Sequence, residues 1–455
     1  MSSARSLGRQ PILNVTPMQS FGRRSGRRFV VPLLGLVLAL SGALPPSPTR
    51  AQTVRPTGPL VPSEGTLFGA YVKPGGGWDR ADVEAGIVGM ETEIGRTLAI
   101  DHHFAPWGVL FPSWKEPWDV ANGRIPMTSW GAISTKEVNS GAVDGFIRDR
   151  ADEVREFGHP LFIRWFWEMN GNASFHLAGR PSRFITAWRR IRWIFALEGA
   201  TNAVWVWCPT AWGFQDGSAP RYYPGDLYVD WVCSTGFNWA PGRAEDPWRG
   251  FQEIFDAFYA FGSGRDKPMM VGAYGVQERG EGEKASWFTE AAADLKEMYP
   301  AIAAVVYFNS DRDFDWRVTT SSSSLEAFRT LGLESHFNPS HADLPLPDSS
   351  RFDRVLEDDT APIVEVLTPL GRRYEAGRNL RIRWRSIEPH RDLVRIRYRI
   401  SAGTWHALRL RTADDGLFQW VPPEWLRGRR VRIVVTAVDL AGNRGEDRSP
   451  WFRLS

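Results

Sequence analysis

Between Leu67 and Asn309, short apolar runs of strand length alternate eight times with amphipathic runs of helical period, and few architectures accept that alternation. Strands are expected at residues 67–72, 97–104, 125–130, 161–168, 203–208, 231–238, 269–276 and 303–309. Between them lie helical patterns. Phe184, Trp188, Ile191 and Phe195 are opened by Ser182 and closed by Gly199; Val143, Ile147, Val154 and Phe157 are closed by Gly158; Phe288, Ala292, Leu295 and Tyr299 run up to Pro300. Eight such units predict a closed parallel (β/α)8 TIM barrel, an α/β fold. The competing open doubly wound sheet lacks its usual mark. Gly75-Gly76-Gly77 precedes a helix without a following Lys-Ser/Thr and reads as a flexible turn.

In such a barrel, chemistry sits where strands end and loops begin. Those ends are expected to carry Asp101, His102 and His103, then Trp130, Glu168 with Asn170, Pro209 with Trp212, Asn238 with Trp239, and finally Asp311, Asp315 and Trp316. Aromatics, amides and carboxylates in that mixture suit a sugar better than a phosphate ester or a metal. Adjacent histidines on a strand point to opposite faces, so only one of His102 and His103 can face the site, and no metal or organic cofactor is expected. The 22 tryptophans fit a carbohydrate groove, because aromatic faces pack on the C–H faces of sugar rings. Trp107, Trp239 and Trp316 are the candidates for stacking.

Residues 160–172, PLFIRWFWEMNGN, carry the sharpest signal. An aromatic run that ends in a carboxylate and then in Asn-Gly reads as a buried strand opening into a loop, with Arg164, Phe166 and Glu168 on one face. Glu168 is flanked by Trp165 and Trp167. One reading is a buried Arg-Glu pair stapling the core; the other is a carboxylic acid kept protonated by apolar neighbours, as a general acid requires.

The phrase Arg164-x-x-Trp167-Glu168-Met169-Asn170-Gly171 resembles the acid/base motif of glycoside hydrolase family 26, the retaining β-mannanase-like enzymes. Phe68-Gly-Ala-Tyr71, Trp205-Val-Trp207-Cys-Pro209, Tyr223-Pro-Gly225, Val229-Asp-Trp231, Phe237-Asn-Trp239, Lys267-Pro268, Phe308-Asn309 and Asp315-Trp316 agree in order, so the resemblance spans residues 67–333. It implies hydrolysis of a β-linked polysaccharide, with Glu168 as acid/base, Arg164 orienting the catalytic carboxylates and Asn170 on the substrate. Trp167 takes the place of a His that touches the sugar in many members. Two departures matter. The family's nucleophilic Glu falls at Ala273, within Lys267-Pro-Met-Met-Val-Gly-Ala-Tyr-Gly275, and its Tyr partner falls at Phe237. Retaining hydrolysis needs two carboxyl groups about 5 Å apart, so three readings stay open. Glu278 serves as a relocated nucleophile; or water attacks in an inverting geometry with Asp315, Asp101 or Glu278 as base; or the barrel is a catalytically impaired binding or scaffold protein. The segment after Asn170 lacks the family's usual Trp pair, which leaves the glycan, mannan-like or other, unassigned.

Residues 1–51 read as a signal peptide. Arg23, Arg24, Arg27 and Arg28 precede an apolar run over 29–44, followed by Pro45, Pro46 and Pro48 and a cleavage site after Ala51; Met18 is an alternative start. A secreted or periplasmic protein with no stable membrane span is expected. Cys208 and Cys233 are the only thiols and read as small buried hydrophobes rather than a disulfide framework. After the glycosidase-like domain at 52–335, the Pro-, Ser- and Asp-rich stretch 336–360 reads as a linker. Short alternating runs over 361–455 read as a small all-β immunoglobulin-like sandwich. Its Arg381, Arg383 and Arg385, and Arg395, Arg397 and Arg399, form either a solvated face or a cationic platform for an acidic glycan or envelope surface. A net charge of +3 gives no ground for nucleic acid as a partner.

Overall fold

The computed structural model describes residues 55–171, 175–341, 343–357, 361–387, 393–401, 403–412, 416–439 and 442–455, so the leader read at 1–51 lies outside the described residues. Eight parallel strands close on themselves in chain order: β1 Leu67–Val72, β2 Ile100–Ala105, β3 Ile125–Trp130, β4 Leu161–Trp165, β5 Ala203–Trp207, β6 Trp231–Asn238, β7 Met269–Val276 and β8 Ile302–Asn309. Closure is made by β1 on β8, from Leu67 opposite Ala304 to Val72 opposite Asn309. The predicted barrel is present.

Side chains alternate between two cores, as period two demands. Phe162, Val204, Val206, Met270 and Val306 fill the barrel, while Ile163, Trp165, Trp205, Val271 and Val305 pack outward on the helices. The floor is closed by the incoming chain. Leu60 and Val61 join the interior cluster and Trp231 Nε1 donates to the Pro59 carbonyl at 2.8 Å, leaving access from the opposite end, where the strands finish.

Two sequence expectations are corrected here. Cys208 and Cys233 are not independent hydrophobes: β5 and β6 are neighbours, both side chains belong to the interior cluster, and a disulfide joins them across a Cα separation of 4.3 Å. The expected strand at 161–168 stops at Trp165, because Phe166 and Glu168 take left-handed backbone angles, φ 53° and 55°.

Beyond the barrel, the stretch read as a linker contains a helix, Ser350–Leu356. Arg351 from that helix pairs with the buried Asp230 at 2.6 Å, and Phe352 lies 4.0 Å from the guanidinium of Arg192. Further on, β9 Ile363–Thr368, β10 Arg373–Tyr374, β11 Leu380–Ile387, β12 Leu393–Ile400, β13 Trp405–Thr412, β14 Leu417–Trp420, β15 Arg430–Val438, β16 Arg444–Arg448 and β17 Phe452–Leu454 form two sheets. One is ordered β14-β11-β9 and the other β10-β17-β15-β12-β13 with β16 beside β15. Ile382 and Trp384 of the first share a core with Ile396, Ile433 and Val435 of the second. Arg381, Arg383 and Arg385 alternate with these and are exposed.

Candidate active site at the barrel mouth

Glu168 is placed by a tight piece of backbone. Phe166 N–H donates to the Trp130 carbonyl at 3.1 Å, Glu168 N–H to the Cys208 carbonyl at 2.9 Å, and Gly171 N–H back to the Glu168 carbonyl at 2.8 Å. These bonds stitch the turn to β3 and to the end of β5. Left-handed angles at Phe166 and Glu168 are costly for residues with a Cβ and are held only because the surroundings over-determine them. The first throws Phe166 outward, where it is buried against Trp165 and Phe184, so the expected shared face of Arg164, Phe166 and Glu168 does not exist. The second turns the chain back and leaves Glu168 half-buried. Burial pushes its carboxyl up from the ordinary carboxylate range, and the positive charge of Arg164 offsets this only in part.

Arg164 itself is not a staple on Glu168. Buried at 2 % exposure, its Nε donates to Ser129 Oγ at 2.7 Å, Nη1 to the Gly272 carbonyl and Nη2 to His102 Nε2 at 3.0 Å. It ties β4 to β2, β3 and β7 beneath the mouth. Desolvation brings the guanidinium down to about 10, still charged at neutral pH. Since Arg164 can only donate, His102 Nε2 accepts; burial and Arg164 both hold the imidazole neutral.

The rim above is aromatic. Trp167 packs on Phe104 at 5.0 Å, Phe104 on Tyr71 at 5.0 Å, Tyr71 stacks on Phe308 at 5.0 Å, and Phe308 meets Phe237 at 5.7 Å. Phe237 completes the arc with Trp239 at 5.2 Å and Trp316 at 4.9 Å. Tyr71, Phe104, Trp167, Phe237, Trp239 and Phe308 are half-buried, each with part of a ring open. Burial drives the Tyr71 phenol up to about 12, so it stays a neutral hydrogen-bonding group.

Several expected residues sit differently. Trp316 is buried at 2 % exposure and supports Phe237 and Trp239, so it offers no face for a sugar. Trp107 lies on the outer side, with one face covered by Trp130 at 4.3 Å and 2°. Trp239 carries the Arg243 guanidinium 3.5 Å from its ring centroid. The Asn170 amide is engaged at both ends, donating to Thr210 Oγ1 at 2.9 Å and accepting from Thr210 N–H at 3.0 Å. Glu278 Oε2 accepts from Thr320 Oγ1 at 3.1 Å and Ser321 Oγ at 2.9 Å, where the helix Ser322–Leu333 begins. Asp315 is paired with Arg317 through two hydrogen bonds of 2.9 and 2.6 Å, which lowers its carboxyl. Asp101 and His103 are not at a strand end: β2 runs on to Ala105, and both face the helix Lys115–Ala121 instead of the mouth. Ala273 is buried in β7 with no carboxylate, and Phe237 has no hydroxyl to offer. Sequence reasoning passed over Tyr71, Phe104 and Phe308 as rim residues, although each is the last or next-to-last inward position of its strand.

The fold and site together define a TIM barrel with a half-buried carboxylic acid at an aromatic-lined mouth. Among curated proteins, the chain is similar to Endoglucanase H of Acetivibrio thermocellus, 31% identical over 269 residues, which is 56% of this chain and 30% of that protein. The chain thus spans less than a third of the curated relative it matches. Solved structures that it resembles include an endo-beta-1,4-mannanase double mutant of Cellulomonas fimi, 17% identical with a TM-score of 0.48 over 86% of this chain and 94% of that one. A GH26 beta-mannanase from Bacteroides ovatus is 15% identical with a TM-score of 0.48 over 63% of this chain and 93% of that one. No family model matches the sequence.

Proposed function

We propose that the chain is an exported glycoside hydrolase of the family 26 type that cuts a β-linked polysaccharide, with Glu168 as general acid/base. The observation that carries this is Glu168 itself: a half-buried carboxyl at the barrel mouth, raised by burial, with Arg164 below it committed to other acceptors. A carboxyl shifted toward its protonated form is what a glycosidic oxygen needs as its bond breaks. Trp167 and Trp239 on the rim are the sugar-stacking platforms, Arg164 positions the acid, and Asn170 holds the loop on which it rides.

Glu278 is the proposed partner carboxylate. Reaching the mouth costs it the two hydroxyl bonds to Thr320 and Ser321, which ties its use to movement of the β7–α connection. A second reading has its own observation: with Ala273 and Phe237 in the family's nucleophile and tyrosine positions, the barrel binds glycan without cleaving it. Reducing-sugar release from mannans, mixed-linkage glucans and bacterial exopolysaccharides separates the two. Turnover by the wild type, abolished in Glu168→Gln while binding persists, supports hydrolysis; binding without turnover by either supports the second reading.

Export rests on the basic and apolar leader at 1–51 and agrees with the Cys208–Cys233 disulfide, a bond typical of oxidising compartments. The domain at 361–455 is proposed to be an immunoglobulin-like accessory domain that rests on acidic glycan or envelope surfaces. Its ladder of Arg397, Arg399 and Arg448 around Trp405, and Arg430 and Arg432 beside Trp451, supports that role.

A further inference from the structure

The same alternation that turns Ile100, His102 and Phe104 into the barrel turns Asp101 and His103 out of it, beneath the helix Lys115–Ala121, which contributes Asp119. His103 Nε2 stands 2.7 Å from Asp119 Oδ2 and 3.5 Å from Asp101 Oδ2. One ligand atom from each residue lies within 4.8 Å of the others. All three side chains are buried, at 1 % for Asp101, 6 % for His103 and 0 % for Asp119.

What sets the cluster apart is that Asp101 has no ordinary donor. Both of its carboxylate oxygens, and Oδ1 of Asp119, are buried without an N–H or hydroxyl to bond, and the two carboxyl groups stand within hydrogen-bonding reach of one another. A carboxylate sealed from water with no donor carries a penalty of several kcal/mol, which either a shared proton or a cation removes. The neighbouring groups favour a cation. Arg124, the obvious counter-ion, spends two of its donors on Glu91 at 2.7 and 2.6 Å, and its Nη1 approaches Asp119 Oδ1 only to 3.9 Å. Glu116, also buried, accepts from Ser113 and from Thr128 Oγ1 and adds another negative charge beside His103.

We infer that Asp101, His103 and Asp119 bind one divalent transition-metal ion of the zinc class, as a structural clamp between β2 and the helix Lys115–Ala121. One imidazole nitrogen with two carboxylate oxygens is a zinc donor set; it is short of the six or more oxygens that calcium takes. In a tetrahedral zinc site with bonds of about 2.0–2.1 Å, donor atoms stand roughly 3.4 Å apart. The His103–Asp101 spacing already matches, and the His103–Asp119 pair opens by about 0.7 Å as a metal replaces their hydrogen bond. The site lies outside the barrel, on the far face of β2 from Arg164 and His102, so it does not depend on the proposed sugar chemistry.

The test uses the full mature chain purified without a histidine tag. Mass-spectrometric metal analysis after zinc loading and exhaustive dialysis is expected to find about one equivalent of zinc, and chelation by EDTA to lower Tm by several degrees. Cobalt substitution should give d–d absorption without a thiolate charge-transfer band, because both cysteines are in the disulfide. Asp101→Asn and His103→Gln are expected to weaken zinc binding at least tenfold. Calcium at the same concentration should leave Tm unchanged. Wild-type protein that retains less than about a tenth of an equivalent and shows no zinc-dependent Tm change overturns the proposal, whether or not the variants fold. Undiminished zinc in a folded Asp101→Asn variant, or stabilisation by calcium in place of zinc, overturns it equally.

Discussion

Glu168 owes its character to two backbone angles and a shortage of partners. With φ 53° at Phe166 and 55° at Glu168, the turn stores roughly 1–3 kcal/mol per residue, and the return is a carboxyl raised into a half-dry setting. Because its folded-state value lies above the unfolded one, near 4.5, the ionised form is penalised by folding. That penalty is absent below the unfolded value and fully present above the folded one. Glu168→Gln is therefore expected to melt with the wild type near pH 4 and roughly 1–3 °C above it at pH 8 by calorimetry. A variant less stable at pH 8 would show that the ionised carboxylate has partners after all. Gly213 makes a second residue-scale prediction. A Cβ there would stand 1.8 Å from Asn170 Nδ2, so Gly213→Ala must displace the amide from Thr210. A loss of about 1–3 kcal/mol in urea unfolding is expected.

At the scale of elements, the inward residues of neighbouring strands share one polar knot. Arg164 on β4 reaches Ser129 on β3, His102 on β2 and the Gly272 carbonyl on β7. Lysine has a single ammonium and cannot span acceptors that diverge across three strands. Arg164→Lys is expected to cost about 2–4 kcal/mol in urea unfolding and to lower activity by moving the turn above it; unchanged stability would mean the knot is slack. The knot also explains what was legible in the chain. The strands at 67–72, 125–130, 231–238 and 269–276 were readable to the residue because both faces are buried and the runs are uninterrupted. The end of β4 was not, since Phe166 has the aromatic character of a strand residue and only its dihedral angle, set by tertiary packing, ends the ladder. The helix Ser350–Leu356 was hidden for a related reason: it has one turn-and-a-half of apolar signal, and what holds it is the burial of Phe352 and Val355 in the barrel's outer core and an ion pair to Asp230, all far away in sequence. Likewise, spacing could not say that Cys208 and Cys233 face one another; strand order did.

At the scale of the molecule, the acid site and the Asp230–Arg351 pair lie at opposite ends of the barrel. The floor is closed by Leu60, Val61 and Leu344 and by the Asp230–Arg351 pair, whose carboxylate is held below its usual range chiefly by Arg351 and Arg192, against its burial. A depressed carboxylate contributes stability above its unfolded value, and that contribution is lost as pH falls through the folded value. Arg351→Ala should lower Tm clearly at pH 7, and the gap to the wild type should narrow as pH falls below the ordinary carboxylate range; a gap independent of pH would assign the loss to packing alone. The mouth keeps a strained acid above the Arg164 knot, while the floor adds the buried Asp230–Arg351 pair.

The central claim is that Glu168 hands its proton to a departing glycosidic oxygen, and leaving-group dependence tests it most directly. For Glu168→Gln, the rate on the polysaccharide that the wild type cuts should fall by about a thousandfold or more, because a sugar alkoxide cannot leave unaided. On a dinitrophenyl glycoside of the same sugar, whose leaving group needs no proton, bond cleavage should fall by less than about tenfold. Equal losses on both substrates, or no loss on either, would contradict the account.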